Sequence, residues 1–245
     1  IEKWREIRLK WWQDQGLDLS KMHVHDIAKE DLAHYSKKTY DLEYQFPHGL
    51  EELEGIADRQ DYDLGNHTRY QDELNLSAKV HKNPDSTAKL AVFDDEEHKW
   101  IVPFVIEPSA GVDRAFLAVM TEAYNEEKLP NGETRTVLKL KKHLAPVKVA
   151  VIPLKRNNEK IVALAHQIKS DLLKTGIGRV MLEESGNIGK AYRRHDEIGT
   201  PLCITVDFES IEQSPATVTL RNRDTMAQER IAVADLPKYL KEFFM

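Results

Sequence analysis

The chain has 245 residues, which is long for one typical domain and comfortable for two. Its 41% hydrophobic residues, 31% charged residues and net charge of −6 are those of an ordinary globular protein, and no stretch approaches the 18 uncharged apolar residues of a membrane span. The single cysteine, Cys203, excludes an internal disulfide, and with no secretion leader at the start it favours a cytoplasmic protein. We expect Cys203 to lie in a buried strand.

The first part of the chain predicts a mixture of helices and strands. Residues 1–15 carry Trp and Ile at helical spacing, and residues 26–35 follow the same spacing after a capping Asp26, so two helices are expected. The alternating segment 39–47 predicts a strand that ends at a proline. Residues 71–100 predict a polar hairpin region, and residues 101–107 predict a buried strand.

The next segment predicts a further helix, from Ala115 to about Glu126. Residues 125–135 are polar and contain a proline and a glycine, so they are expected to form a loop that projects from this part of the chain. Because the chain opens with Ile1 inside a helical pattern, we expect it to be the C-terminal piece of a longer protein. A site shared with a preceding half would then be incomplete.

From residue 144 the pattern becomes an alternation of hydrophobic strands and amphipathic helices, and the balance of charge changes from acidic to slightly basic. This alternation predicts an α/β domain with a mixed sheet over residues 144–245, preceded by another domain over residues 1–143. The predicted elements are strands at 148–154, 179–184 and 201–208, helices at 159–176, 187–199 and 237–244, and a hairpin of 216–224 with 228–236.

The segment ELEGIADR, residues 52–59, concentrates charged side chains beside apolar ones. Strand alternation would place Glu52 and Glu54 on one face, where two carboxylates could hold an ammonium group or a metal. A solvated strand face is the alternative explanation. The nearby Asp58 and Arg59 would lie beside such a pair.

The segment VIEPSAGVDR predicts a strand, a turn and the start of a helix. Glu107 and Ser109 would lie at the strand end, and Arg114 in the first helical turn, where its guanidinium could cover a purine ring or contact phosphate. A surface arginine on an ordinary turn is the alternative.

Two other clusters are candidate sites. The HVH sequence at residues 23–25 lacks the partners of a metal motif, so these are expected to be structural or surface histidines. Five basic side chains in the second domain could contact RNA phosphates or bases, with a solvated face as the alternative. They are Lys190, Arg193, Arg194, Arg221 and Arg223.

Six segments in order give the chain a resemblance to the glycyl-tRNA synthetases of the dimeric kind, which are class II enzymes. They are DLAHYSKKTYDLEYQFPHG, ELEGIADRQDYDLGNH, VIEPSAGVDRAF, LAPVKVAVIPL, IGKAYRRHDEIGTP and RNRDTMAQER, and together they span nearly the whole chain. The resemblance implies an antiparallel class II sheet followed by a mixed-sheet anticodon-binding domain.

The resemblance also implies roles for particular residues. VIEPSAGVDR is similar to motif 3 of class II synthetases, whose arginine, here Arg114, stacks on the adenine of ATP. Glu107 and Ser109 would line the glycine pocket, and Glu107 would also act with Arg114 in ATP binding and catalysis. Glu52 would receive the glycine ammonium, and Asp58 and Arg59 would order the pocket. The implied partners are ATP, glycine, Mg²⁺ and tRNA(Gly), with a homodimer in the complete protein.

Motifs 1 and 2 of this family are not recognisable, so we expect the chain alone to be inactive. Two other functions stay open. One is a non-catalytic nucleic-acid-binding accessory protein on a synthetase scaffold, which would tend to lose the pocket carboxylates and Arg114. The other is a structural dimerisation domain, which would not require those residues.

Overall fold

The computed structural model describes residues 1–245, and it confirms the predicted α/β class. The chain divides into two compact units, unit 1 (1–118) and unit 2 (119–245). The domain boundary predicted at residue 144 lies after the first hairpin of unit 2 and stays a prediction about functional domains. None of the helices combines the length and the apolar composition that a membrane span requires.

The helices are α1 (Glu2–Asp14), α2 (Tyr62–His67), α3 (Val112–Ala123), α4 (Glu159–Lys174), α5 (Ile188–Glu197), α6 (Phe208–Glu212) and α7 (Leu236–Phe244). The strands of unit 1 are β1 (Met22–Asp26), β2 (Lys38–Phe46), β3 (Gly49–Asp58), β4 (Val92–Asp94), β5 (Lys99–Ile101) and β6 (Ile106–Ala110). Those of unit 2 are β7 (Tyr124–Lys128), β8 (Thr134–Leu138), β9 (Val149–Pro153), β10 (Val180–Leu182), β11 (Leu202–Val206), β12 (Thr217–Asn222) and β13 (Gln228–Ala232).

Unit 1 is built on an antiparallel sheet with the strand order β1-β2-β3-β6. The predicted alternation of β2 is confirmed, because Leu42, Tyr44 and Phe46 are all buried on one face. Helix α1, also confirmed, packs on that face through the buried ring of Trp12. The opposite face of the sheet is therefore left open.

A β-bulge in β3 changes which side chains face which way. Leu42 pairs with Glu54 but the next residue, Glu43, pairs with Glu52, so Leu53 is the extra residue. Glu54 is consequently buried against α1, where Arg8 and the Trp12 indole donate to its carboxylate. The expectation that Glu52 and Glu54 share a face is wrong, because the bulge interrupts the alternation on which it depended.

The predicted helix at residues 26–35 is also wrong. Asp26 ends β1, whose residues pair with β2, and residues 27–37 form an irregular loop. The ends of that loop are fixed by main-chain bonds from Ile27 to Thr39 and from Lys37 to Asp58. Main-chain bonds to the sheet at both ends of the segment therefore prevail over its weak helical periodicity.

Three further expectations need adjusting. The buried strand at residues 101–107 is interrupted between β5 and β6, where Pro103 has no N–H to donate and Phe104 is half-exposed. In residues 71–100 the hairpin around DDEEHK is confirmed as β4–β5, whereas NPDS forms a turn without flanking strands. Residues 125–135 are part of a regular hairpin, β7–β8, and α3 ends at Ala123 where β7 begins.

Unit 2 has a five-stranded sheet in the order β10-β9-β11-β12-β13, with β10, β9 and β11 parallel and the last two antiparallel. The predicted strands and helices of this region are confirmed. Helices α4 and α5 contribute to two separate hydrophobic clusters of the sheet, and each begins at an asparagine N-cap. Cys203 is buried in β11, and burial raises the pKa of its thiol to about 12.

Buried charges join the β7–β8 hairpin to the rest of unit 2. Asp196 on α5 accepts two hydrogen bonds from Arg221 of β12, at 2.8 and 2.9 Å, and a third from Arg135 of β8 at 3.2 Å. All three side chains are almost fully buried. Because an unpaired buried charge is costly, this network fixes the position of the hairpin.

Replacing Asp196 with Ala should therefore destabilise the protein strongly. The change leaves two buried guanidinium groups without their shared carboxylate, for which we expect a loss of about 3–5 kcal/mol in the free energy of unfolding. Urea unfolding monitored by circular dichroism measures it. The control is Asp171→Ala, which removes an exposed carboxylate paired with Lys174 and should cost ~0–1 kcal/mol. Similar losses in the two variants would contradict the role of Asp196.

Candidate functional site

The open face of the unit 1 sheet carries a cleft of about 350 Å³. Its floor comes from β2, β3 and β6, and its wall comes from the loop at residues 27–37. The lining residues are Ile27, Asp31, Leu32, Ala33, Tyr35, Thr39, Asp41, Glu52, Gly55, Ala57, Glu107 and Ser109. Three of the residues predicted from the sequence, Glu52, Glu107 and Ser109, therefore meet in one cleft.

The strand register explains how these residues come together. Ser109 and Glu107 of β6 lie opposite Gly55 and Ala57 of β3, and Asp41 of β2 lies opposite Gly55 on the other side. A Cβ atom at Gly55 would lie 3.6 Å from both Asp41 Oδ1 and Glu52 Oε1. The absence of a side chain at this glycine leaves space between two carboxylates.

Asp41 is a cleft residue that the sequence analysis missed. Burial and the nearby charge of Glu52 raise the pKa of its carboxyl. The signal was present in the sequence, because the alternation that buries Leu42 and Tyr44 places Asp41 on the opposite face. What the sequence did not show was that this face would be a ligand-sized cleft rather than open solvent.

Arg59 holds one of the cleft carboxylates in place. Its NH1 donates to Glu107 Oε2 at 2.6 Å, and its Nε and NH2 donate to the two oxygens of Asp63 at 2.6 and 2.8 Å. These bonds, first to Asp63 and then to Glu107, raise the pKa of Arg59 and keep it charged. The other oxygen of Glu107 has no such partner.

Asp58 and Arg114 lie at the edge of this arrangement. The Asp58 carboxylate accepts a bond from the main-chain N–H of Gln60 and does not line the cleft, so it stabilises its own turn. Arg114, in the first turn of α3, donates through NH1 to the main-chain carbonyl of Glu52. Its guanidinium is thereby held beside the cleft while its residue stays exposed.

The histidines of β1 are surface residues. His23 and His25 are exposed on the edge strand, and His25 lies 3.7 Å from the Glu43 carboxylate. No group of three or more His, Cys, Asp or Glu side chains is arranged to hold a metal ion.

The five basic residues of unit 2 separate into two groups. Lys190, Arg193 and Arg194 line an open groove along α5, where Arg193 pairs with Glu133 at 2.6 Å and Arg194 with Glu183 at 2.7 Å. The Lys190 side chain has no partner.

Arg221 and Arg223 are buried instead. Arg221 pairs with Asp196, and Arg223 donates to the carbonyls of Gly199 and Leu140 at 2.8 and 2.9 Å. The structure thus argues against the expected contact of these two arginines with RNA, because their donors are used inside the fold.

Comparison with known proteins gives matches over both units. The anticodon binding domain family matches residues 148–243. The chain is similar to the glycine–tRNA ligase of Deinococcus radiodurans, with 58% identity over 98% of the chain and 49% of the relative. The glycine–tRNA ligase of Thermus thermophilus is 55% identical over 98% of the chain and 49% of the relative. That of Lachnoclostridium phytofermentans is 44% identical over 98% of the chain and 47% of the relative. The chain therefore spans about half the length of the curated relatives it matches.

The electrostatic coupling in the cleft can be measured directly. In a Glu52→Gln variant we expect the pKa of Asp41 to fall towards its usual value without reaching it, because burial still raises it after the neighbouring charge is gone. Carbon-13 NMR of the side-chain carboxyls against pH measures the pKa. Glu51→Gln is the control, since Glu51 does not line the cleft. An unchanged pKa of Asp41 in Glu52→Gln would contradict the proximity of the two groups.

Proposed function

We propose that this chain, which is similar to glycine–tRNA ligases over 98% of its length, supplies the glycine-binding cleft and the anticodon-binding domain of such an enzyme. In the proposed reaction the glycine carboxylate attacks the α-phosphorus of ATP, pyrophosphate leaves, and the adenylate passes glycine to the 3′-terminal hydroxyl of tRNA(Gly) with release of AMP. The observation that carries the proposal is the convergence of Glu52, Glu107 and Ser109 in one cleft, with Arg114 bound to the Glu52 carbonyl.

The cleft suits a small amino acid with a positive charge at one end. Glu52 and the free oxygen of Glu107 would accept hydrogen bonds from the glycine ammonium, and Asp41 adds negative charge beside them. Because glycine has no side chain to recognise, selection has to come from fixing the ammonium and leaving no room for a methyl group. Steric exclusion of this kind acts against larger substrates, which missing contacts alone discriminate only weakly.

Arg114 is proposed to bind the ATP adenine. Its bond to Glu52 would hold the guanidinium next to the glycine site, so that nucleotide and amino acid are brought together. We propose that Mg²⁺ would be bound through the ATP phosphates, to which it commonly binds. Further contacts to the phosphates would come from the part of the complete protein that this chain does not span.

The tRNA is proposed to contact unit 2 along α5. Lys190, Arg193 and Arg194 give the groove a positive edge that can neutralise phosphates. We propose that the complete protein acts in the cytoplasm as a homodimer, and that the chain alone does not activate glycine.

The test is glycine-dependent ATP–pyrophosphate exchange by the complete protein that contains this sequence. Glu52→Gln should raise the KM for glycine about tenfold or more, because a charge-assisted hydrogen bond is lost, while changing the KM for ATP little. Arg114→Ala should do the reverse, with an increase of about tenfold in the KM for ATP.

Two substitutions away from the cleft serve as controls, Glu51→Gln for the acid and Arg179→Ala for the base, and neither should alter exchange. An unchanged glycine KM in Glu52→Gln would refute the ammonium assignment. Absence of exchange in the unmodified protein, with tRNA or DNA binding retained, would favour the non-catalytic accessory protein instead.

A second test addresses the tRNA contact. Lys190→Ala should raise the KM for tRNA(Gly) in aminoacylation and reduce the salt dependence of binding by about one phosphate contact, while exchange without tRNA is unchanged. Lys241→Ala on α7 is the control, because Lys241 lies outside the groove. If Lys190→Ala and Lys241→Ala had equal effects, tRNA binding would depend on the net charge of the protein and not on a contact at Lys190.

A further inference from the structure

We propose that Tyr35 is a positioning residue of the cleft, which holds Arg59 in place and, through Arg59, fixes Glu107 for substrate binding. This proposal rests on the proposed function. It gives a role to Tyr35, to which neither the family resemblance nor the similar proteins assign one. It depends on three contacts of one guanidinium group and on the path of the loop at residues 27–37.

The Arg59 guanidinium is contacted on its edge and on its face. Its Cζ lies 3.8 Å from the centroid of the Tyr35 ring, while Nε and NH2 donate to Asp63 and NH1 donates to Glu107. The hydrogen bonds fix the guanidinium within its own plane, and the ring covers its face. A flexible arginine side chain is thus confined on two sides.

Arg59 in turn holds the Glu107 carboxylate. Glu107 contributes one oxygen to Arg59 and lines the cleft, with its side chain 40% exposed. No other ion pair holds it. If Arg59 moved to another rotamer, Glu107 would lose the bond that aims its second oxygen into the cleft.

The loop that carries Tyr35 contacts the rest of unit 1 mainly through aromatic side chains. The Tyr35 ring lies over Arg59 and 6.3 Å from the Tyr62 ring, and His34 hydrogen-bonds to the Tyr62 hydroxyl at 3.2 Å. The Ser36 hydroxyl adds bonds to Thr39 and to the Asp58 carbonyl. Leu32 and Ala33, which line the cleft, lie next to this contact in the chain. The Tyr35 ring therefore helps to hold the cleft wall and covers the arginine that binds Glu107.

The structure offers a matched comparison outside the cleft. Arg69 lies over the ring of Tyr70, with its Cζ 4.1 Å from the centroid, and neither residue lines the cleft. A substitution of Tyr70 removes a similar arginine–aromatic contact in the same unit. It controls for the general effect of losing such a contact.

The experiment compares Tyr35→Leu, Tyr35→Phe and Tyr70→Leu in the complete protein, by glycine-dependent ATP–pyrophosphate exchange. Tyr35→Leu should raise the KM for glycine about tenfold and leave the KM for ATP within about twofold, because the change acts on Glu107 and on the wall of the glycine cleft. Tyr35→Phe keeps the ring face and should restore a nearly normal glycine KM. Tyr70→Leu should behave as the unmodified protein.

A double substitution separates positioning from a general loss of structure. In a Glu107→Gln background, Tyr35→Leu should have a smaller effect on the glycine KM than it has alone, because both changes act on one interaction. Independent effects that multiply would show that Tyr35 does not act through Glu107. A normal glycine KM in Tyr35→Leu, or equal damage from Leu and Phe, would likewise overturn the proposal while leaving the proposed function intact.

A spectroscopic measurement does not require activity. The Nε–H proton of Arg59, assigned by its loss in Arg59→Lys, should have a chemical shift displaced by the ring current of Tyr35 and should lose that displacement in Tyr35→Leu but not in Tyr35→Phe. Failure of the unmodified protein to exchange would refute the proposed function. An Arg59 Nε–H chemical shift that is the same in Tyr35→Leu as in the unmodified protein would refute the positioning role.

Discussion

One extra residue in β3 determines how unit 1 can combine a packed sheet with a binding cleft. By bulging at Leu53, the strand turns Glu54 towards α1 and leaves Glu52 on the opposite side. A regular strand would send both carboxylates to the same face, and either the cleft would lose Glu52 or the helix would lose its buried partner. The main-chain carbonyl of Glu52 next to the bulge also accepts the bond from Arg114, so the same irregularity connects the strand to α3.

Unit 2 relies on a different constraint, which is the neutralisation of Asp196 inside the protein. The carboxylate takes its counter-charges from β8 and β12, which lie on separate hairpins. Once both arginines are committed to Asp196, their donors are no longer available for a ligand. Lys190, in contrast, is exposed in the groove along α5, and its side chain has no partner within the fold.

The sequence was sufficient where a pattern was long or locally complete. Strand β2 and helix α4 followed from periodicity, and the motif around Glu107 and Arg114 placed those residues at a strand end and a helix start. It was insufficient where the outcome depended on distant parts of the chain. The bulge at Leu53 exists because β3 must satisfy β2 and α1 together, and the burial of Arg221 depends on Asp196, which lies on another element. Neither partner can be identified from local spacing.

The charged groups of the two units divide into buried groups that the fold neutralises and cleft carboxylates that it neutralises incompletely. Glu54 and Asp196 are buried, and each is matched by donors from another element. In the cleft, Arg59 already has Asp63 as a bidentate partner, so it cannot fully balance Glu107 as well, and no basic side chain pairs with Asp41 or Glu52. The folded protein tolerates this excess of negative charge because the cleft is open to water. A bound cationic group would replace that water and supply the missing positive charge, which is why the proposed ammonium site coincides with the carboxylates that the fold leaves unpaired.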